Sequence, residues 1–352
     1  MTLTKREHVK RGGNKPGSKP VITIVDWRIG PVSEPTSAVE RTVIKDAAEI
    51  RYYRLIGDSE FTREILETDA LILWHNIPVM KECLGNFTRC KVIVRNGVGY
   101  DTVDVDAAAR YGIPVCNVPD YGTEEVADHA IALALAQIRQ IFPLDAVAKK
   151  CAWTIPDMDK LRRLRELTFG IVGLGRIGIA TALRAKSLGF KVLFYDPYLS
   201  NGVDKAIGIT RITKLAELLA SADILSLHCP LTEETRHLIG REELAIMKPT
   251  AYVINTARGA VIEKAAILEA LRKGTIAGAG LDVIEDEPLK SPEEANTPNL
   301  IATCHAAFCS KEARIEMRST SARIALAAVQ GLPLENVVNQ AQLNHSSKTV
   351  AS

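Results

Sequence analysis

Twice along this chain, short apolar runs alternate with amphipathic stretches of helical length, and that alternation leaves little choice of fold. From Val21 the order is VITIVDW, AVERTVIKDA, ALILWHN, KVIVRNGVGYD, DVDAAARYG and IPVCNVPD, ending near Val118. A second series starts at LTFGIVGLGRIGIATALRAKSLGFKVLFYDPY and continues through ADILSLHCPL, AYVINTARG, GAGLDVIEDEP and NLIATCHAAF. Strands separated by crossover helices pair in parallel, so each series predicts an α/β unit. A chain of 352 residues is long enough for two such domains with separate cores.

Between the series lies TEEVADHAIALALAQIRQIF, which is apolar over more than one helical face. Such a helix is expected to be buried on two sides, at a domain or homodimer contact. Thr123 is its expected N-cap, Glu124 and Glu125 suit the helix dipole in the first turn, and Pro143 is the expected stop. A last helix, KEARIEMRSTSARIALAAVQG, is expected to pack back on the first unit. Residues 1–20 form a basic leader without large apolar content, read as disordered, either a solvated tail or an anion-contacting arm. Residues 341–352 read as a flexible tail.

Composition narrows the partners. A net charge of +2 gives no basic excess for a nucleic acid. No apolar stretch approaches the roughly 18 residues of a membrane span, and no signal core is present. The seven cysteines are odd in number and irregularly spaced, which fits neither a disulfide framework nor a CxxC metal site. No histidine pair has ligand spacing, so no metal is expected. The reading is a cytosolic protein that binds small molecules.

The stretch FGIVGLGRIG places Gly173, Gly175 and Gly178 in G-x-G-x-x-G spacing after a strand and at the start of a helix. The first glycine permits a tight turn, the second lets a pyrophosphate approach the backbone, and the third allows close helix–strand packing. Asp196 follows 18 residues after Gly178, at the end of VLFYD. A carboxylate there accepts from adenosine ribose hydroxyls and repels a ribose phosphate, which favours NAD over NADP.

Three polar residues then fall on successive strand ends: Arg258 in NTARG, Glu287 in DEP and His305 in CHAAF. Each alone has a bland reading, as a surface cation, a solvated acid and a hydrogen-bonded core histidine. Beside a nicotinamide site they form an acid/base pair with an anion receptor. Oxidising a 2-hydroxy acid requires a base for the hydroxyl proton, and histidine serves near neutral pH. A carboxylate beside an imidazole orients it and stabilises the imidazolium. An arginine fork holds a carboxylate and polarises the adjoining carbonyl.

On these residues, and on LHCPLTEETRHLI, VINTARGAVI and GAGLDVIEDEPL, the chain from about Val21 to Val338 resembles the D-isomer-specific 2-hydroxyacid dehydrogenase family. It resembles especially the C-terminal-binding proteins and their microbial relatives, through RNGVGYDTVDVDAAARYGIPVCNVPDYGTEEVADHA, FYDPYLSNGVDKAIG and CHAAFCSKEARIEMR. The resemblance implies two Rossmann-like domains separated by a cleft: a flavodoxin-like substrate domain over 21–118 plus 318–340, and a doubly wound NAD-binding domain over 119–317. It implies Arg258, Glu287 and His305 as the catalytic set, Asp282 at the nicotinamide carboxamide, and Asp196 at the ribose. Arg176 and Ile177 then lie along the pyrophosphate, while Cys229, Thr235, Thr256 and Ala257 line the cofactor. Arg95, Val98 and Gly99 fall in the loop facing the substrate carboxylate.

Phe308 stands where those relatives commonly carry tryptophan, which alters the expected pocket, and Glu287 sets the chain apart from formate dehydrogenases. No regulatory domain is expected after the final helix. His75 lines the substrate site or makes a structural hydrogen bond, Arg95 reads the substrate or braces its loop, and His228 shapes its own loop. Two functions stay open. One is an NAD-dependent dehydrogenase or reductase of a small D-2-hydroxy or 2-keto acid. The other is an NAD(H)-regulated corepressor or scaffold, which would place the protein in the nucleus.

Overall fold

The computed structural model describes residues 18–27, 37–74, 76–155 and 157–350, with the side chains of 346–350 left aside. Among these residues the chain forms two compact units, one running up to Tyr121 and resuming at Lys311, the other comprising Gly122–Ser310. Both changes of unit fall at helix starts, Thr123 and Lys311, so no helix is cut. The sequence reading placed them at 118 and 318, the second inside that last helix.

The first unit is a parallel sheet of β1 (Val21–Trp27), β2 (Glu49–Leu55), β3 (Ala70–Leu73), β4 (Ile93–Arg95) and β5 (Val115–Cys116), in the order β2-β1-β3-β4-β5. This is the flavodoxin-like order. The apolar runs of β1, β3 and β4 are buried because helices cover both sheet faces, the usual condition of parallel strands. The strand pattern passed over β2, where Glu49, Arg51 and Arg54 interrupt the apolar residues, yet β2 pairs with β1 along its whole length. It lies at the sheet edge, where charge is tolerated and protects against pairing with other chains.

The helix Lys311–Gln330 closes this unit by packing Ala322, Ile324 and Ala325 against Ile22, Ile24 and Ile72. Arg318 donates from Nε and Nη2 to the two carboxylate oxygens of Glu40 at 2.8 and 2.7 Å, and Ser321 Oγ meets Asn96 Oδ1 at 2.8 Å. Farther on, buried Asn339 accepts from Val115 N and donates to the carbonyls of Ile113 and Val105. That anchor starts a helix over Gln340–Val350, where the sequence suggested a flexible tail.

The second unit is a parallel sheet of β6 (Thr168–Val172), β7 (Lys191–Tyr195), β8 (Thr210–Arg211), β9 (Ile224–Leu227), β10 (Tyr252–Asn255), β11 (Gly278–Leu281) and β12 (Leu300–Ala302). The order β12-β11-β10-β9-β6-β7-β8 reverses direction between β6 and β9, as in doubly wound dinucleotide-binding folds. Ligands of such sheets bind at the carboxyl strand ends beside that reversal.

The helix Thr123–Ile138 lies within this unit and buries Ala130, Leu133, Ala134 and Ile138 in its core. Its N-cap is Gly122, and Thr123 Oγ1 makes no capping bond. The helix stops at Arg139, and Pro143 does not end it. Pro143 instead lies in the first turn of a second helix, Ile141–Lys149, where its missing N–H costs no intrahelical bond. No single described helix is long and apolar enough to cross a membrane.

Candidate active site

The loop after β6 is built for a diphosphate. Gly173 has φ 86°, and a Cβ there would stand 2.7 Å from Cys229 N, so β6 and β9 can run side by side into their loops only with glycine at this place. A Cβ at Gly178 would lie 2.1 Å from Gly173 O, which fixes the close helix–strand approach. Gly175 differs: a Cβ there would meet nothing within 4 Å. It is the N-cap of the helix Arg176–Ser187, and no side chain caps that terminus. The first-turn N–H groups therefore have no side-chain cap, the arrangement that can take a phosphate. Gly175 and Arg176 are exposed and Ile177 is half-buried on the first turn.

Asp196 follows β7. Its Oδ2 accepts from Leu174 N and its Oδ1 from Tyr198 N, each at 2.9 Å, so the carboxylate ties the glycine turn to the neighbouring strand end. Cys229 is buried, and burial pushes its thiol up to about 11, so it lines the loop uncharged. Beside it His228 places Nε2 at 2.8 Å from Ser226 Oγ, while Nδ1 has no hydrogen-bond partner; burial lowers its imidazole to about 3. After β10, Thr256 Oγ1 is buried without a partner and Ala257 N donates to Asn255 Oδ1 at 3.0 Å. A buried hydroxyl left unpaired in a loop at the carboxyl edge is a group awaiting a ligand. Thr235 turns inward on its own loop, donating to Pro230 O and accepting from Thr232 N.

The acid/base candidates come from the three adjacent strands β10, β11 and β12, whose carboxyl ends release Arg258, Glu287 and His305. His305 Nδ1 stands 3.0 Å from Glu287 Oε2, with both side chains partly exposed. The His305 ring meets Phe308 edge to face, with 6.3 Å between ring centroids. The His305 backbone has φ 54°, a left-handed conformation that residues with a side chain adopt only when held there. Arg258 Nη1 donates to Ala257 O at 2.9 Å, and its carbonyl accepts from Asn255 Nδ2 at the same distance.

Asp282 holds the His305 turn. Its carbonyl accepts from His305 N at 2.8 Å, its Oδ1 from Thr303 Oγ1 at 2.6 Å and Ala306 N at 2.9 Å, and its Oδ2 from Ala307 N at 2.9 Å. Sequence reasoning named Asp282 only through the resemblance and missed Thr303. It also missed His129, whose Nε2 lies 3.0 Å from Thr303 Oγ1. A threonine two residues before the candidate acid/base histidine is a readable signal; a histidine on a helix 174 residues away is not.

The remaining candidates belong to the first unit. Arg95 is buried and donates from Nη1 to Asn96 O at 2.6 Å, bracing the turn at Gly97. Val98 O accepts from Asn117 Nδ2 at 2.7 Å, and Gly99 follows half-buried. His75 lies outside the described residues. No group of three or more His, Cys, Asp or Glu side chains among the described residues is placed to hold a metal.

A parallel sheet with the dinucleotide turn at its reversal, and titratable groups at the same edge, defines the NAD-binding part of a dehydrogenase. Residues 131–307 match the model of the D-isomer specific 2-hydroxyacid dehydrogenase NAD binding domain, half of the chain. The chain is 39% identical over 289 residues to the glyoxylate reductase of Thermococcus litoralis, spanning 80% of this chain and 87% of that protein. With the D-3-phosphoglycerate dehydrogenase of Methanocaldococcus jannaschii it shares 35% over 310 residues, 88% of this chain but only 59% of that protein's length. The crystal structure of D-lactate dehydrogenase from Aquifex aeolicus, complexed with NAD and lactic acid, superposes with a TM-score of 0.78 at 29% identity, covering 92% of this chain and 98% of that one. The chain belongs to the D-isomer-specific 2-hydroxyacid dehydrogenase family, a family of NAD-dependent oxidoreductases.

Proposed function

We propose that the protein reduces a small 2-keto acid, or oxidises the matching D-2-hydroxy acid, with His305 as the acid/base, Glu287 as its partner and Arg258 as the receptor of the substrate carboxylate. The observation that carries this reading is the 3.0 Å contact of His305 Nδ1 with Glu287 Oε2 at the strand edge that also bears the dinucleotide turn. Glu287 accepts from Nδ1 and holds the ring, so proton exchange falls to Nε2. Bound nicotinamide supplies or accepts the hydride. In reduction the imidazolium donates its proton to the carbonyl oxygen; in oxidation the neutral ring takes the hydroxyl proton. The guanidinium of Arg258 offers a fork that a carboxylate fits.

We assign NAD to the unit Gly122–Ser310, with Asp196 selecting it over NADP, and a substrate-binding role to the other unit. The name of the Thermococcus relative puts glyoxylate first among candidate substrates. Rates with glyoxylate, hydroxypyruvate, pyruvate and larger 2-keto acids, each with NADH and with NADPH, test the assignment. Turnover on none of them would instead support the scaffold reading.

We also read the protein as a homodimer of the cytosol. The helix Ile141–Lys149 has no buried residue and exposes Ile141 and Phe142, and beyond it Trp153 is 92% exposed, with Ile155 and Met158 also open. This apolar run, more than the buried helix before it, is the surface a second copy would cover. Light scattering of the wild type and of Trp153→Asp checks it, with the variant shifting toward monomer. The seven cysteines are thiols rather than disulfide halves, which suits a reducing compartment.

A further inference from the structure

The turn that presents His305 rests on a chain of groups that reaches back to the first helix of its unit. Asp282 is buried, and its carboxylate is engaged by three donors: Thr303 Oγ1, Ala306 N and Ala307 N. The two amides follow His305 directly, and His305 N itself bonds to Asp282 O. These bonds hold the left-handed backbone at His305, so the direction of the imidazole depends on where the Asp282 carboxylate sits.

Thr303 has one hydroxyl proton, and at 2.6 Å it goes to Asp282 Oδ1, since an ionised carboxylate can only accept. The 3.0 Å contact between Thr303 Oγ1 and His129 Nε2 must then be donated by the histidine. His129 Nε2 is also 3.7 Å from Asp282 Oδ1. The result is a directed series, from the His129 N–H through the Thr303 hydroxyl to the Asp282 carboxylate, in which each donation strengthens the next. His129 stands on the helix Thr123–Ile138, whose far end is locked to the same sheet by Gln137 Nε2 donating to Ala279 O at 2.6 Å and Asn299 O at 3.0 Å. The series thus starts from a rigid element and ends at a strained loop.

We propose that His129 and Thr303 are positioning residues for His305, acting through the Asp282 carboxylate to hold the turn that aims the imidazole. The proposal rests on the reading of His305 as the proton-transfer group. Glu287 orients the ring from one side, and this series fixes the backbone that carries it.

Thr303→Val keeps the shape and removes the hydroxyl, whereas Thr303→Ser keeps it. A hydrogen bond to a charged group sets the scale, so Thr303→Val is expected to lower kcat on the best 2-keto acid by about tenfold or more, with the NADH Kd moving less than about threefold. Thr303→Ser is expected to stay within about threefold of wild type. His129→Leu should follow the valine variant, and His129→Gln, which retains an N–H donor, should recover part of the loss. A second readout needs no turnover: the rate at which diethyl pyrocarbonate modifies His305, followed by peptide mass spectrometry, should rise in Thr303→Val and not in Thr303→Ser. Equal behaviour of the valine and serine variants in both readouts would overturn the proposal. A wild type that turns over no acid, but whose His305 modification still separates the two variants, would sink the dehydrogenase reading and leave the positioning role standing.

Discussion

Each unit of this protein holds a carboxylate against a nitrogen cation or base, and the two pairs differ in burial and geometry. Glu40 and Arg318 are joined by two bonds of 2.8 and 2.7 Å, with side chains only 1% and 10% exposed. Glu287 and His305 share one contact of 3.0 Å and are 35% and 25% exposed. The buried pair has a fixed charge on arginine and ties a helix from the chain's last quarter to one near its start. The open pair has a titratable partner and lies on a loop held in a left-handed turn. Burial with bidentate geometry makes an ion pair structural; partial exposure with a proton to exchange suits the chemistry proposed for the second.

The largest effect should come from breaking the buried pair. Glu40→Ala leaves Arg318 uncompensated in the core and should cost on the order of 3–5 kcal/mol in urea unfolding. The double change Glu40→Leu with Arg318→Met should recover much of it, because two apolar groups need no partner. Rates per folded molecule should stay at the wild-type value in the double variant; a rate that falls in step with stability would blur the contrast.

His305→Ala should show the mirror image. Turnover should drop by about 100-fold or more, the usual contribution of a positioned acid/base group. The melting temperature, with and without NADH, should move by no more than about 2 °C. Loss of stability in proportion to activity would return His305 to the role of a core residue.

Asp196→Ala should narrow the preference for NADH over NADPH by about tenfold, since a carboxylate near the extra phosphate repels it. Asp196→Asn retains an oxygen for the Leu174 N–H and so separates the lost charge from a loosened glycine turn. A wild type that prefers NADPH in the rate assay would void the assignment.

An effect that appears only as the pH falls concerns His228, held neutral with its pKa lowered by burial to about 3. A histidine with a folded value below its unfolded value of about 6.5 contributes stability that is complete above that pH and is lost as pH falls toward 3. The loss approaches about 1.4 kcal/mol per pH unit in that window. His228→Gln should remove this slope, which urea titrations between pH 7 and 4.5, two convenient settings inside and above the roughly 3–6.5 window, would register. A wild type and variant with the same slope would show that the ring takes up its proton without unfolding.

Much of the site was legible because its parts are local. Gly173, Gly175 and Gly178 sit on one turn, and Arg258, Glu287 and His305 come in the loops three to six residues after apolar strands, so strand pattern and strand end locate them together. What stayed hidden was non-local or worked against local habit. β2 carries charges that look unlike a strand until the sheet edge is known, and Pro143 reads as a stop until the chain is seen to turn into a second helix. The apolar excess around Thr123 faces the core of its own unit, and a run of exposed apolar residues begins at Ile141.

The sequence alone therefore determined the two α/β series and the dinucleotide turn, and it nominated the acid/base candidates, because hydrophobic period and glycine spacing act over a few residues. Only the tertiary structure decided which partners those residues meet. Glu40 meets Arg318 across 278 positions, Val115 meets Asn339 across 224, and Thr303 meets His129 across 174. Such pairs have no signature in one sequence, since parallel sheets bring together groups separated by whole crossovers and their directional bonds form only once the strands are in register.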